Sequence, residues 1–167
     1  MSDWSLRKVA DRLAKTLNQD LLIQQTTSEL REVLNVNRIL LYYFYSPWKG
    51  QVTFESVSQP QFSIIGQSGP DQCFGEEYAA LYLQGRVRAI SNIETEPINE
   101  CHREFLRTLQ VQANLVVPVL SPIGLWGLLV AHHCEDTRLW SLDDIKRMKN
   151  AAATLGTAAT IRDSYNL

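Results

Sequence analysis

The sequence has 167 residues, of which 45% are hydrophobic and 20% are charged, and this is typical of one soluble globular domain rather than of a disordered chain. Its 16 basic and 18 acidic residues give a formal net charge of −2, which argues against a protein that binds the phosphates of nucleic acid. The longest apolar runs, such as Leu125–Ala131, are well short of the roughly 18 residues that a membrane helix needs.

The amino-terminal residues and the cysteines bear on the cellular compartment. Met1–Ser5 is polar and leads into a charged amphipathic stretch, so we see no secretory signal. Three cysteines, an odd number, fit free thiols in a reducing compartment better than a disulfide framework. We therefore expect a single cytoplasmic domain over residues 1–167.

The first third of the chain is predicted to form two helices and a β-hairpin. Apolar residues recur at helical spacing up to Leu17, and a second amphipathic helix is predicted over Asp20–Leu34. Residues 38–45 are rich in strand formers, residues 47–50 supply a turn, and residues 52–57 form the returning strand.

The middle of the chain is predicted to insert a loop and two short helices. Residues 60–70 are a loop, and Glu76–Leu83 is a short helix that Gly85 ends. Val87–Ile90 is a short strand, and Asn99 is the N-cap of the next helix.

A second hairpin and a closing helix complete the predicted order. Val111–Leu120 and Leu125–Cys134 are its strands, and Ser141 with Asp144 starts a final helix that reaches Arg162. Hairpins imply an antiparallel sheet, and helices grouped at the two chain ends favour an α+β architecture. A pocket is expected between the sheet and the helical insertion.

The thiols and imidazoles are the side chains of this sequence that are candidates for reactive roles. Cys101 is predicted in the first turn of a helix, where the helix dipole lowers the pKa of a thiol, and its neighbours His102 and Arg103 would stabilise a thiolate further. Cys134, at the end of an apolar strand, fits a small buried hydrophobe. A loop aspartate such as Asp71 is as often a turn former as a functional group.

These residue types occur both in metal sites and in hydrolytic cysteine–histidine dyads. No Cys-x-x-Cys pair occurs, and His102 directly follows Cys101, so no metal site is predicted. A hydrolytic cysteine–histidine dyad stays open, because such pairs are joined in space rather than in sequence.

Three longer stretches match a known family in order and spacing. Residues 101–106 read Cys-His-Arg-Glu-Phe-Leu, residues 115–119 read Leu-Val-Val-Pro-Val, and residues 125–132 read Leu-Trp-Gly-Leu-Leu-Val-Ala-His; Gln84-Gly85-Arg86 also fits. Together they resemble the chromophore-binding GAF domain of cyanobacteriochromes, which are phytochrome-related bilin photoreceptors. The resemblance covers about residues 20–161 and implies a central antiparallel sheet flanked by helices, including helices at both chain ends.

Residues 71–74, Asp-Gln-Cys-Phe, match the Asp-x-Cys-Phe motif of a subgroup similar to the blue/green type. The resemblance implies that Cys101 holds ring A of a linear tetrapyrrole through a permanent thioether, and that Cys73 adds reversibly to its central methine bridge. The implied cofactor is phycocyanobilin, phycoviolobilin or both. Pigment attachment and isomerisation would be autocatalytic, so no enzymatic activity or catalytic residue is expected.

The resemblance also implies roles for other side chains. Asp71 would be the counter-ion of the protonated pyrrole nitrogens, and Arg86 would anchor a propionate, with Arg88 a second anchor if it faces the same side. His102 would contact the pyrrole core, and His132 would approach ring D, where light rotates the 15,16 double bond. The remaining predicted pigment contacts are Phe74, Tyr78 and Trp126.

A photoreceptor of this kind would couple 15Z/15E isomerisation and second-cysteine thioether chemistry to an output domain of a larger signalling protein. A homodimer through the terminal helices is a further expectation, and neither nucleic acid nor membrane contact is expected. Two alternatives are a GAF-fold free methionine sulfoxide reductase, which also relies on cysteines, and a cyclic-nucleotide-binding GAF module.

Overall fold

A computed structural model describes residues 3–46, 49–69 and 77–164, with the side chains of residues 3 and 77–79 outside that description. The described helices are α1 (Asp3–Leu17), α2 (Leu21–Leu34), α3 (Glu77–Leu83), α4 (Glu100–Thr108), α5 (Leu142–Thr157) and α6 (Ala159–Arg162). The strands are β1 (Arg38–Ser46), β2 (Lys49–Val57), β3 (Arg88–Ile90), β4 (Ala113–Ser121) and β5 (Gly124–His133). A single 3-10 turn over Pro60–Phe62 lies within the predicted loop.

The five strands form one sheet in the order β2-β1-β5-β4-β3, and every neighbouring pair is antiparallel. Each hairpin places sequential strands side by side, and the β1–β5 pairing joins the two hairpins. The predicted α+β architecture with a central antiparallel sheet is therefore confirmed.

Side chains point alternately to opposite faces along each strand, so the two faces of the sheet pack against different parts of the molecule. Ile39, Leu41, Leu129 and Ala131 face the main core, which they share with apolar residues of α1, α2, α5 and α6. The opposite face carries a smaller apolar cluster: Leu40, Val52, Tyr82, Val116 and Val130. A site can form on this second face.

Side-chain caps fix the helix ends much as the sequence predicts. The Asp20 carboxylate accepts the backbone N–H of Leu22 at 3.0 Å, so α2 begins one residue later. Asn99 caps α4, and Ser141 with Asp144 forms the predicted capping box of α5.

The prediction of one continuous closing helix up to Arg162 is wrong. α5 ends at Thr157, Ala158 is extended with ψ 133°, and α6 starts afresh. Gly156 lies so close to β4 that a Cβ there would be 2.6 Å from the Leu120 carbonyl oxygen. The break comes two residues after this close approach, and Ile161 of α6 lies in the core.

We expect Gly127→Ala to lower the free energy of unfolding by about 3 kcal/mol, the upper end for overpacking. A Cβ on Gly127 would lie 2.1 Å from the Tyr42 carbonyl oxygen of β1, so two paired strands would have to move apart. Gly66→Ala is the control, because nothing lies within 4 Å of a Cβ added there. Its expected loss of about 1–2 kcal/mol comes from placing alanine at a φ of +84°. Urea unfolding measures both, and equal losses would contradict the close approach.

Candidate functional site

A cavity of about 440 Å3 lies on the second face of the sheet, between β1, β4 and β5 on one side and α4 with the segment before α3 on the other. Its volume falls in the range of about 300–1,000 Å3 that small-molecule sites occupy. The predicted pocket between the sheet and the insertion is confirmed.

The walls of the cavity are mainly apolar. The sheet contributes Leu40, Val116, Leu128 and Val130 as the floor, since these residues share one face. Further apolar lining comes from α3, α4 and the loops: Ile64, Tyr82, Ile98, Phe105, Leu106 and Leu109. A flat, apolar ligand would be shielded from water here, and the few polar side chains would determine its orientation.

Two arginines supply positive charge at one side of the cavity. Arg86 lies 5.7 Å from the centre of the Tyr82 ring, and Arg88 is 3.4 Å from the Glu96 carboxylate. Both line the cavity. Arg88 opens β3 and Arg86 lies two residues before it. Residues two apart in an extended segment point to the same side, so alternation does not separate the two cations. Together they can bind carboxylates of a ligand.

His102 lies beside these arginines, near the start of α4. Its backbone N–H donates to the Asn99 side chain at 2.7 Å. Burial, and then the charges of Arg88, Arg86 and Arg103, lowers the pKa of its imidazole to about 4. His102 is therefore neutral at pH 7 and adds no positive charge beside Cys101.

Cys101 is exposed at the second position of α4, one residue before the cavity-lining His102. Its sulfur is in a disulfide, which contradicts the expectation of free thiols at this residue. Arg103 donates to the Glu100 carboxylate at 2.8 Å, so its charge is already paired. The N-terminus of α4 would favour a thiolate at Cys101 once the disulfide is reduced.

Cys134 has the predicted character of a small structural residue. It is free and half-buried at the end of β5, and burial raises the pKa of its thiol above the usual value. Among the cavity-lining residues that the structure describes, Cys134 is absent.

A row of three polar side chains crosses the sheet where β1, β5 and β4 pair. Arg38 lies opposite His132, and His132 lies opposite Asn114. Their exposed fractions are only 1%, 4% and 4%. His132 and Asn114 line the cavity, while Arg38 lies behind His132 with its guanidinium 3.0 Å from Nδ1. Burial, together with the Arg38 charge, holds the pKa of His132 well below its usual value.

Trp126 does not line the cavity, and its predicted role as a pigment contact is wrong. It packs in the main core against Tyr43, at 5.2 Å between ring centres, and donates to Ser164 at 2.8 Å. The β4–β5 register shifts where Val119 pairs with Gly127 and the next residue pairs with Leu125, which leaves Trp126 as an extra residue. This bulge turns Trp126 to the face opposite His132.

Four predicted residues have no described side-chain position. Asp71, Cys73 and Phe74 lie outside the described residues, and for Tyr78 the structure gives the helical backbone of α3 only. Their predicted roles stay predictions.

Sequence reasoning missed Arg38, Asn114 and Phe105 as parts of the site. Arg38 has the same strand parity as Leu40, and Asn114 has the same parity as Val116, so alternation could have placed both on the cavity face. No sequence signal gives the pairing of Arg38 with a histidine 94 residues away, because this needs the β1–β5 register.

We expect the stability of the apoprotein to fall as pH drops from about 7 to about 5, because the unfolded chain binds protons that neutral His132 does not. The slope due to His132 is up to about 1.4 kcal/mol per pH unit below the usual histidine pKa. In His132→Gln, that share of the slope disappears. Urea unfolding across this pH range measures the slope, and parallel curves for the two proteins would contradict the assignment.

The family follows from both fold and sequence. The GAF domain model matches residues 18–159, which spans the sheet, the cavity and most of the helices around it. The chain therefore belongs to the GAF domain family. None of the helices within the described residues is long and apolar enough to cross a membrane.

Two relatives by sequence show how much the proteins that carry this domain differ in length. An uncharacterized protein of Picosynechococcus is 45% identical over 163 residues, covering 98% of this chain and 100% of that protein. A putative methyl-accepting chemotaxis protein of Synechocystis is 29% identical over 153 residues, covering 92% of this chain but 15% of that protein. The same domain thus forms nearly a whole chain in one relative and a small part of another.

Solved structures with this fold include bilin-binding GAF domains. The blue-light-absorbing form of the Thermosynechococcus elongatus PixJ GAF domain is 30% identical, with a TM-score of 0.74, covering 97% of this chain and 88% of that one. The phycocyanobilin-bound GAF domain of a cyanobacterial phytochrome is 28% identical, with a TM-score of 0.74 and 96% of both chains covered. The chain is similar to the sensory domains of cyanobacteriochromes and phytochromes.

Proposed function

We propose that this chain is a light sensor that covalently binds a linear tetrapyrrole and switches reversibly between two absorbing states. The observation that carries the proposal is the apolar cavity, which combines two arginines at one side with a buried histidine and asparagine in its wall. Cys101 lies one residue from its lining. The likeness to bilin-binding GAF domains supports the same conclusion.

The described side chains fit such a pigment. A tetrapyrrole is flat and mostly apolar, as the sheet floor requires, and it carries two propionates that Arg86 and Arg88 can bind as carboxylate partners. Asn114 Oδ1 is buried without a hydrogen-bond partner among the described residues, and a polar ligand atom would satisfy it. The phycocyanobilin or phycoviolobilin named by the family resemblance meets these requirements.

The two imidazoles act as neutral groups in this proposal. His102 contacts the pyrrole core beside the arginines without adding a third positive charge, because its pKa is about 4. His132 contacts ring D from the sheet. The pigment itself supplies light absorption and the rotation of its 15,16 double bond.

The thiols provide attachment and colour change. Once a thiol reductant has opened the disulfide of Cys101, its thiolate would add to a double bond of the ring A side chain, the neighbouring carbon would take up a proton, and the permanent thioether would result. The Cys73 thiolate adds to and leaves the central methine bridge, and Asp71 balances the charge of the pyrrole nitrogens. These two roles rest on the Asp-x-Cys-Phe motif and define a blue/green-like subtype.

The signal would leave through the helices at the chain ends. α1 and α6 contact each other beside the main core, so a movement of the sheet can reach both. Relatives that carry this domain within a chemotaxis protein or a histidine kinase support an output domain, and the terminal helices are the proposed dimer contact. The chain acts as a sensor and not as an enzyme.

Production of the reduced protein in a phycocyanobilin-synthesising host tests the proposal. We expect a coloured protein whose band fluoresces with zinc after denaturing electrophoresis. A colourless protein that instead reduces free methionine sulfoxide, or that binds cyclic nucleotides in calorimetry, would overturn the proposal in favour of the corresponding alternative.

A further inference from the structure

Arg38 is a buried cation that the proposed pigment chemistry does not use. Its Nε donates to the Phe62 carbonyl at 2.7 Å, and its Nη1 donates to the Leu109 carbonyl at 3.1 Å. The same Nη1 lies 3.0 Å from Nδ1 of His132. Among the described residues, no carboxylate forms an ion pair with it.

Burying a guanidinium in this position lowers the stability of the fold, so its presence calls for a functional reason. A buried charge without an opposite charge loses hydration that carbonyl contacts only partly replace. An apolar side chain could fill the same space on this face of the sheet without that cost. The hydrogen bond to His132 is the contact that a purely structural residue would not need.

The hydrogen bond determines which ring nitrogen of His132 carries a proton. A guanidinium can only donate, so Nδ1 must accept and cannot be protonated. The single proton of the neutral ring then lies on Nε2. Among the described residues, Nε2 has no hydrogen-bond partner, and His132 lines the cavity.

We infer that Arg38 is a positioning residue that fixes His132 as the neutral Nε2–H form, so that the cavity wall offers a hydrogen-bond donor to a carbonyl oxygen of the bound ligand. The ligand part of this inference rests on the proposed function, whereas the state of His132 does not. Asn114, opposite His132 in the register and unpartnered at Oδ1, gives the same wall an acceptor for a ligand N–H. A donor and an acceptor side by side match a lactam, the end group of a linear tetrapyrrole.

The charged and titratable groups around His132 are few. Among the described residues, Arg38 from β1 is the charge that lowers the pKa of the imidazole. Burial lowers the pKa of Arg38, whereas Cys134, which follows β5, and Glu55 of β2 raise it. The guanidinium keeps its proton because its ordinary pKa is so high. β4 contributes the uncharged Asn114, and Leu109, the residue after α4, accepts from Arg38 through its carbonyl.

Histidine 15N NMR on the apoprotein tests the assignment directly. In the wild type we expect the His132 ring to show a proton on Nε2, none on Nδ1, and a titration midpoint below that of an ordinary histidine. Arg38→Met removes the donor at similar length, and we expect a mixture of tautomers or an apparent pKa shifted towards the usual value. Arg38→Lys restores a donor and should restore the wild-type signals. His132→Gln identifies the resonance.

The holoprotein then tests the ligand contact. We expect Arg38→Met and His132→Gln each to lower the photoconversion yield, and the double variant to be no worse than His132→Gln alone, since Arg38 acts through His132. Additive losses would overturn this coupling. Protonated Nδ1 in the wild type would overturn the inference even if Arg38→Met fails to fold. Because the NMR experiment contains no pigment, its failure is distinct from failure of the proposed function.

Discussion

Cys101→Ala is expected to abolish covalent pigment attachment completely. The thioether needs a thiol next to the cavity, and Cys101 is exposed at the second position of α4, one residue before the cavity-lining His102. The N-terminus of α4 favours its thiolate, while Arg103 is paired with Glu100 and His102 is neutral. The zinc-enhanced fluorescence of the band on a denaturing gel should vanish.

Cys134→Ala is the matched control for this experiment. Cys134 is free, half-buried and absent from the described lining of the cavity, and burial raises the pKa of its thiol. Its removal should leave the fluorescent band at the wild-type intensity. A fluorescent band in Cys101→Ala, or its loss in Cys134→Ala alone, would show that the pigment is attached elsewhere.

Cys73→Ala is expected to retain the pigment and to lose the blue-absorbing state. A thiolate bonded to the central methine bridge divides the conjugated system into two shorter halves, so the absorption moves to the blue only while that bond exists. The zinc-fluorescent band should remain, because Cys101 is unchanged. The measurement is the absorption spectrum of both photostates.

Asp71→Asn distinguishes this effect from a general disturbance of the 71–74 segment. It alters the proposed counter-ion and leaves the thiol, so the blue-absorbing state should persist with a changed spectrum of the other state. A blue-absorbing state that survives in Cys73→Ala would mean that no second thioether forms at this position.

The fold was predictable from the sequence where the signal is local. Strand alternation separates Leu40 from Leu41, and the side chains of Asn99 and Ser141 cap the helices that follow them. The antiparallel sheet and the pocket beside the insertion follow from these elements. The break of the closing helix at Ala158, two residues after the close approach of Gly156 to the Leu120 carbonyl, is not a local signal of this kind.

The site was less predictable because its geometry depends on strand register. A single extra residue in β5 turns Trp126 away from the cavity, although its spacing from His132 suggests a shared face. Arg38 meets His132 only through the β1–β5 pairing. The electrostatic state of His102 also depends on three arginines that the fold brings near it.

The absorption spectrum of the pigmented wild-type protein, recorded before and after alternating illumination, tests the central claim most directly. The account predicts two spectra that interconvert repeatedly, one of them shifted to the blue. A covalently pigmented protein whose spectrum does not change in the light would contradict it.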